Sequence, residues 1–301
     1  MISDSEAEMR EYKTSTEIAS AAKIIGEERA IELIARAGFD AYDFSMFAMA
    51  RYDKANDRLF DTDHPLAGRE YLSFARRIRR VAEDNGIICN QSHAPFPTSV
   101  GCVREYLLRA IECTAEAGGE YCIIHPANRG TPDENAEFFA SLIPYARECG
   151  VRIATENMWN WDREADHATA AACSSPESFT RHIDLLGEEI CACLDIGHAE
   201  MYGLSTSAPE MIEALGHRLC ALHLHDNDRR RDKHQIPFSG SIDFGSVIRS
   251  LKRIGYAGYM TLEADTHLAK YDAESIYTGI CELAESARRL ARMMEEKDEN
   301  M

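Results

Sequence analysis

Long apolar runs, positive charge and regularly paired cysteines are scarce in this chain of 301 residues. No apolar run approaches the ~18 residues of a membrane-spanning helix, so we expect no membrane span. Lysines and arginines number 33 against 51 aspartates and glutamates, and the formal net charge of -18 argues against a nucleic-acid partner. The ten cysteines have no paired spacing, which indicates reduced thiols and a cytoplasmic location.

Two further absences concern the N-terminus and the first turn of the fold. The N-terminal segment is polar and acidic, so we expect neither a signal peptide nor a transit peptide. No G-x-G-x-x-G turn follows the first candidate strand. This disfavours a doubly wound open sheet, which is the alternative fold.

Short apolar runs and stretches with helical periodicity alternate about eight times along the chain, without a break in composition. Such alternation predicts a parallel sheet covered by helices, and the length is close to the ~250 residues of a (β/α)8 barrel. We therefore predict an α/β protein with one (β/α)8 TIM-barrel domain over residues 13–301, preceded by a tail at residues 1–12.

Some local features can be predicted more closely. Val103–Ala117 has one apolar face and is followed by two glycines, so it is predicted to form a single helix. Thr131, Pro132 and Glu134 fit a capping box that starts a helix running to about Cys149. Residues 46–65 show no clear period and are predicted to form a long loop over the upper face of the barrel.

Four candidate strands end in side chains that can bind a metal ion. Glu156 ends RIATE, Asp195 ends CACLD, His223 lies in LCALHLHDND, and Glu263 ends GYMTLE. In a parallel barrel the carboxyl ends of the strands meet on one face, where active sites lie. Three carboxylates with one imidazole suit a hard or borderline divalent ion such as Mn²⁺, Mg²⁺, Co²⁺ or Zn²⁺.

Strand parity predicts what lies beneath these four groups, because successive side chains point to opposite faces of a sheet. Cys191 and Cys193 share the face of Asp195, Ala221 shares that of His223, and Ala154 shares that of Glu156. The barrel interior is thus predicted to be small and apolar below a polar upper layer. The opposite parity, which should face the helices, holds Ile153, Leu194, Leu222 and Leu262.

These motifs resemble the xylose isomerase-like barrel superfamily, especially its sugar phosphate isomerase and epimerase group, from about His93 to Glu263. The resemblance implies that one divalent metal is bound by Glu156, Asp195, His223 and Glu263. It also implies that His198, in the group's D-x-x-H motif, contacts the substrate. Arg229 has the spacing of an arginine that lies six residues after the group's metal histidine. The turn from His234 to Asp243 is similar to the group's H…G-x-I-D turn.

The metal-binding histidine has an alternative. His225 shares a strand face with His223, so parity does not choose between them. The H-L-x-D pattern of the group favours His223, with Asp226 as an orienting neighbour. His93 and His125 are predicted as further substrate donors. Trp159 is predicted either to pack on a sugar or to seal the barrel top, the role preferred for Trp161.

The resemblance implies a sugar or sugar phosphate isomerase or epimerase that moves a proton beside a carbonyl through a metal-bound enediolate, with Glu156 and Glu263 as the acid and base. The expected partner is a small sugar or polyol, and a homo-oligomer is compatible with the sequence. One alternative is a metal-dependent dehydratase of a keto-inositol or dehydroshikimate-like substrate. Another is an endonuclease IV-like hydrolase with three zinc ions, for which His93, His125 and the Asp232–His234 pair would supply ligands. A non-catalytic binding protein is disfavoured by the full ligand set.

Overall fold

The computed structural model describes residues 11–296, which fold around a parallel sheet. In chain order the strands are β1 (Thr14–Glu17), β2 (Ala41–Ser45), β3 (Ala50–Asp53), β4 (Arg58–Asp61), β5 (Ile88–His93), β6 (Tyr121–Ile124), β7 (Arg152–Glu156), β8 (Asn160–Asp162), β9 (His167–Thr169), β10 (Ile190–Asp195), β11 (Leu219–His223) and β12 (Met260–Leu262). Eight of them form one sheet in the order β11-β10-β7-β6-β5-β2-β1-β12.

The two ends of this sheet meet. Leu224, directly after β11, forms a parallel bridge with Leu262 of β12. The Leu224 amide donates to the Thr261 carbonyl at 2.9 Å, and the Glu263 amide donates to the Leu224 carbonyl at 3.1 Å. The paired strands of the eight-stranded sheet run parallel, so the predicted (β/α)8 barrel is confirmed.

Helices connect the barrel strands and cover the outside. They are α1 (Ala19–Ile25), α2 (Glu27–Ala37), α3 (Tyr71–Asp84), α4 (Val103–Ala117), α5 (Pro132–Ala140), α6 (Ile143–Glu148), α7 (Pro176–Asp184), α8 (Ile196–Ala199), α9 (Ala208–Leu215), α10 (Phe244–Arg253) and α11 (Ile276–Glu295). Over residues 11–296, none of these helices combines the length and the apolarity that a membrane crossing requires.

Two helix predictions had different outcomes. Helix α4 has the predicted bounds and ends at Gly118, whose φ of 81° is in the left-handed region. The capping box at Thr131 is also confirmed. The single helix predicted up to Cys149 is wrong, because the chain breaks between α5 and α6. Pro144 lies in the first turn of α6, where its missing amide costs nothing, whereas inside a continuous helix it would remove a hydrogen bond.

The segment of residues 46–65, predicted as a long loop over the upper face, contains regular secondary structure. The segment contains a 3-10 turn at Phe47–Met49 and the antiparallel hairpin of β3 and β4. Each hairpin strand has four residues and is largely polar, so neither shows a clear alternation of apolar residues. The segment follows β2 and places Phe47 above the carboxyl ends of the barrel strands.

The predicted strand parity is confirmed. A small cluster inside the barrel contains Ala154, Cys191, Cys193 and Ala221, together with Ile123. The opposite parity lies in the large core shared with the helices, which includes Ile153, Leu194, Leu222 and Leu262. Apart from residues 11 and 12, the predicted tail lies outside the described residues, and the division into a tail and one domain stays a prediction.

Candidate active site

The four predicted strand-end ligands converge at the carboxyl ends of β7, β10, β11 and β12. Glu156, Asp195, His223 and Glu263 each offer one ligand atom, and these four atoms all lie within 4.8 Å of one another. All four residues are buried. The geometry therefore has the form of a metal-binding set, and the assignment of these residues as ligands stays a prediction.

His223 lies between two carboxylates in this group. Its Nδ1 is 3.3 Å from an oxygen of Glu156 and 3.3 Å from an oxygen of Glu263. Its Nε2 is 3.3 Å from Oδ2 of Asp43, a buried residue of β2. An imidazole that donates a hydrogen bond from Nε2 to Asp43 keeps its lone pair on Nδ1. That lone pair can bind an ion that the glutamates also hold.

His225 belongs to a second group beside the first. Its Nε2 lies 3.0 Å from Oδ1 of Asp195, and its ring stacks on that of His234 with the centroids 3.8 Å apart. One ligand atom each from Asp195, His198, His225 and His234 also come within 4.8 Å of one another. Both histidines of the H-L-H motif thus face the site, as the shared strand face predicts, but they approach different carboxylates.

His93 and His125 lie at the ends of β5 and β6. The Nε2 atoms of the two rings are 2.8 Å apart, and Nε2 of His125 is 3.3 Å from Glu156. Nδ1 of His93 is 3.2 Å from Glu263. These two predicted substrate donors are therefore adjacent to the predicted metal ligands.

The ionisable groups of the site strongly affect one another. Burial opposes the charged form of His223, but Cys193, Glu263 and Glu156 raise the pKa of its imidazole well above the ordinary value. For Glu156 burial again opposes charge, yet His223 and His125 hold the pKa of the carboxyl well below its usual range. In the protein without metal, the charge of these buried carboxylates is therefore opposed mainly by the imidazole of His223, whereas burial lowers the pKa of His125.

The unpartnered atoms of the site fit a divalent cation. Within the described part of the chain, neither carboxylate oxygen of Glu156 makes a hydrogen bond, and neither does Nδ1 of His223. Buried polar atoms without partners cost about 1–3 kcal/mol each. An ion with two positive charges would satisfy these atoms and replace the protons on the imidazoles, so the residues present fit a bound metal.

A cavity of about 520 Å³ opens onto these groups. Its wall includes His93, His125, Glu156, His198 and Glu263 from the barrel, and its aromatic wall is formed by Phe47, Phe96, Trp159 and Trp161. Trp159 donates from Nε1 to Asp232 at 3.3 Å and meets the His198 ring edge-on. Its predicted contact with substrate thus agrees with its place in the cavity wall.

Arg229 is placed differently from the other predicted substrate residues. Its guanidinium pairs with Glu200 at 3.0 Å, and Arg229 is not among the described residues that line the cavity. Its φ of 62° and the bond from its amide to Asn227 turn the chain at this position. The substrate role of Arg229 stays a prediction, and in this structure it would require the side chain to leave Glu200.

Of two further residues near the site, Asp43 was not predicted, and Asp232 was predicted only as a ligand of the hydrolase alternative. Asp232 lies 3.1 Å from both His198 and His234, so it connects two imidazoles of the second group. Asp43 contacts His223 from below. The only sequence signal for Asp43 was an aspartate within the otherwise apolar run AYDF of β2. The predicted neighbour Asp226 instead accepts hydrogen bonds from the amides of Gly240 and Ile242 and holds the following loop.

Comparison with known proteins identifies distant relatives of this chain. An uncharacterized protein of Methanocaldococcus jannaschii is 28% identical over 57% of this chain and 62% of its own length. Fructoselysine 3-epimerase of Shigella flexneri is 27% identical over 52% of this chain and 56% of its own length. The matched region thus spans only about three fifths of these relatives.

Solved structures extend the likeness over nearly the whole chain. A D-tagatose 3-epimerase-like protein superposes with a TM-score of 0.66 at 21% identity, covering 93% of this chain and 98% of that structure. At this identity the likeness establishes the fold. A family model described as xylose isomerase-like TIM barrel matches residues 31–296. The chain therefore belongs to the xylose isomerase-like TIM barrel family.

Proposed function

We propose that this protein is a divalent-metal-dependent sugar isomerase or epimerase that transfers a proton at a carbon beside a carbonyl group. The observation that carries the proposal is the pair of buried carboxylates of Glu156 and Glu263, each 3.3 Å from Nδ1 of His223. They come from β7 and β12, which are separated in the closed barrel by β10 and β11. The two carboxylates therefore approach a bound substrate from different directions.

The ion would be held by Glu156, Asp195, His223 and Glu263, whose ligand atoms lie within 4.8 Å of one another. When bound, a divalent ion supplies a Lewis acid that stabilises negative charge on the substrate oxygens. The site contains six imidazoles, at positions 93, 125, 198, 223, 225 and 234. The one imidazole of the proposed ligand set suits Zn²⁺ or Co²⁺, and its three carboxylates suit Mn²⁺ or Mg²⁺.

The proton transfer itself is assigned to the two glutamates. One glutamate, as the carboxylate, removes the proton from the carbon beside the carbonyl, and the other, as the protonated acid, returns a proton to the neighbouring carbon or to the opposite face. Return to the opposite face inverts the configuration and makes the reaction an epimerisation. Both groups are buried, and neighbouring histidines favour the ionised form of each in the metal-free protein, so the glutamate that acts as the acid must take up its proton from solvent or from a preceding turnover.

The other cavity residues would bind and orient the substrate. Despite burial, Asp195 and Asp232 raise the pKa of His198 to about 10, so its ring donates hydrogen bonds. His198 and His125 both line the cavity and are placed to donate to substrate hydroxyl groups. Phe96 stacks on His125 with the centroids 4.9 Å apart, and with Trp159 it provides an apolar wall that excludes water.

The names of similar proteins support a sugar substrate. The curated relative from Shigella flexneri is a fructoselysine 3-epimerase, and the similar structures include a D-psicose 3-epimerase and an L-ribulose 3-epimerase. These proteins act at a carbon next to a ketone. A ketose is therefore the first substrate class to test.

The test is solvent deuterium exchange into a panel of ketoses, keto-inositols and their phosphates by metal-loaded enzyme, followed by mass spectrometry and NMR. We expect one deuterium at the carbon beside the carbonyl, without loss of water. The variant Glu156→Gln should lose exchange, whereas Glu28→Gln should retain it, because Glu28 is an exposed partner of Arg77. Loss of water from the substrate would favour the dehydratase alternative.

The second histidine group bears on the alternative of an endonuclease IV-like hydrolase. Asp195, His198, His225 and His234 could hold a further ion beside the first group. Metal analysis of the purified protein distinguishes the two functions. One ion per chain together with ketose turnover supports the isomerase, whereas three zinc ions together with cleavage of DNA at abasic sites would contradict it.

A further inference from the structure

A second cavity adjoins the active site on the same face of the barrel. It has a volume of about 510 Å³, nearly equal to that of the active-site cavity. Three residues, Phe47, Glu263 and Asp265, line both cavities. This side cavity is therefore adjacent to Glu263, one of the two proposed acid-base residues. A substrate that reacts at Glu263 can therefore extend into the side cavity if it carries a substituent.

The floor of the side cavity is polar and buried. The Glu17 side chain is 4% exposed and accepts hydrogen bonds from the amide and the hydroxyl of Ser20. Ser45, at the end of β2, is 6% exposed, and its hydroxyl has no hydrogen-bond partner among the described residues. Because a buried hydroxyl without a partner is unfavourable, Ser45 indicates a ligand atom that is bound at this position.

The charges around this floor are predominantly negative. Nε2 of His64 lies 2.7 Å from Glu27, and Nδ1 of His64 accepts a hydrogen bond from the Leu66 amide, so this ring donates to Glu27 without cancelling its charge. The cavity wall therefore has four acidic residues, Glu17, Glu27, Glu263 and Asp265, against one exposed lysine, Lys23. Burial raises the pKa of Glu17 to about 7, in spite of the two hydrogen bonds from Ser20, and Asp265 and Glu263 add to the rise, so no cation in the described part of the chain balances this carboxylate. A nearby cation would stabilise its charged form, and an anion would be repelled.

The walls are apolar. Ile18, Ala19, Ala22, Phe47 and Ala48 surround the polar floor. Such walls suit a short chain of methylene groups that leads to a charged end. The face of Phe47 can also attract a cation.

We propose that the side cavity binds the substituent of an extended substrate, a ketose carrying an amine-terminated alkyl chain. The ammonium group lies against Glu17 and Asp265 and donates a hydrogen bond to the hydroxyl oxygen of Ser45, and the methylene groups lie against Ile18 and Phe47. This assignment rests on the proposed ketose chemistry and adds the substrate class to it. Phosphorylated and carboxylated substituents are excluded by the same charges.

The experiment uses three ketoses that differ only at the end of a chain attached to carbon 1, which is an ammonium, a hydroxyl or a carboxylate. A hydrogen bond to a charged group contributes about 1.5–3 kcal/mol, so we expect kcat/KM for the ammonium compound to exceed that for the hydroxyl compound by about tenfold or more. The carboxylate compound should be the poorest of the three. In Glu17→Gln the ratio between the ammonium and hydroxyl compounds should fall toward one.

Matched variants separate local effects from general ones. Glu28→Gln removes an acidic residue that is outside the cavity and should keep the wild-type ratio. Ser45→Ala should weaken binding of all chain-bearing ketoses several-fold relative to the free ketose. If Glu17→Gln does not fold, the kcat/KM values of the three compounds on the wild-type enzyme still show whether the side cavity prefers an ammonium group.

The failures of the two proposals are distinguishable. Equal kcat/KM for the ammonium and hydroxyl compounds would overturn the side-cavity assignment while leaving the isomerase intact. Absence of turnover and of deuterium exchange with every ketose would contradict the isomerase. In that case, calorimetric binding of the ammonium compound to metal-loaded wild type and Glu17→Gln tests the cavity by itself, and equal affinities would refute it.

Discussion

Replacement of Asp43 by asparagine should weaken metal binding although Asp43 is not a proposed ligand. Oδ2 of Asp43 lies 3.3 Å from Nε2 of His223 and accepts a hydrogen bond from Nε2 of Gln91 at 2.9 Å. Oδ1 has no partner within the described residues. This arrangement fixes a proton on Nε2 of His223, so that in the metal-bound protein the Nδ1 lone pair would be free for an ion held by Glu156 and Glu263.

Asparagine cannot reproduce this arrangement in either orientation of its amide. With its oxygen toward His223, the new NH₂ group replaces the unpartnered Oδ1 and leaves a buried donor unsatisfied. With its NH₂ group toward His223, it meets two donors, the side chain of Gln91 and Nε2–H of His223. The imidazole must then carry its proton on Nδ1, where it blocks the metal.

Loss of a partner that orients a metal ligand typically costs about 10–100-fold in metal affinity. We therefore expect the Kd for Mn²⁺ or Zn²⁺ to rise by that factor in Asp43→Asn, equivalent to about 1.4–2.7 kcal/mol. Calorimetric titration against a competing chelator measures this change. Asp184→Asn is the matched control, because Asp184 is an exposed partner of Arg218 on the outside of the barrel.

The same titration on His223→Asn and His225→Asn decides between the two candidate ligands. If His223 is the ligand, its replacement should weaken metal binding more than Asp43→Asn does. A wild-type Kd in Asp43→Asn, together with a large loss in His225→Asn, would refute the assignment of His223.

Three further predictions concern turnover, pH and stability. Glu263→Gln should abolish ketose turnover, since it removes a proposed ligand and a proposed base together, and near-normal kcat would contradict the site. Metal affinity should increase with pH, because burial is outweighed by Cys193 and the neighbouring glutamates, which raise the pKa of His223, so this ring must lose a proton when the metal binds. Calorimetry in buffers of different ionisation enthalpy should detect the proton release. Burial lowers the pKa of His182 to about 4, whereas the pKa of histidine in the unfolded chain is about 6.5. The stability that the neutral, buried ring contributes is therefore complete above about pH 6.5 and is lost as the pH falls toward 4. His182→Leu should therefore raise the Tm more at about pH 5 than at about pH 8, and an equal change at both would show that the histidine does not protonate on unfolding.

Strand parity and strand ends predicted the barrel interior and the convergence of Glu156, Asp195, His223 and Glu263. These features depend on a two-residue period and on the common direction of parallel strands, and both can be deduced from sequence. The helix break near Pro144 was also present in the sequence as a proline, but the apolar pattern on both sides concealed it. The hairpin of β3 and β4 was missed because its strands are short and polar.

The contacts of Asp43 and Arg229 could not be predicted in the same way. Asp43 meets His223 across the barrel, 180 residues away in sequence, and parity alone does not identify the partner of an inward-facing side chain. Arg229 has the expected spacing from His223, but its backbone has a φ of 62° and turns the guanidinium toward Glu200. Spacing in a loop fixes the distance along the chain and leaves the direction of the side chain open.

The two histidines of the H-L-H motif, His223 and His225, could not be distinguished in the sequence, but they occupy different positions in the barrel. His223 ends β11, and Leu224 continues the pairing with Leu262, so His225 still faces inward on the same parity. The two imidazoles are therefore displaced along the strand, and each meets a different carboxylate. Glu156 and Glu263 are near His223, whereas Asp195 is near His225. Of the two, only His223 has a buried carboxylate on its far nitrogen, because Nδ1 of His225 has no partner in the described residues. Since a metal-binding imidazole normally donates its other N–H to such a group, Asp43 favours His223 as the ligand and leaves His225 to orient Asp195.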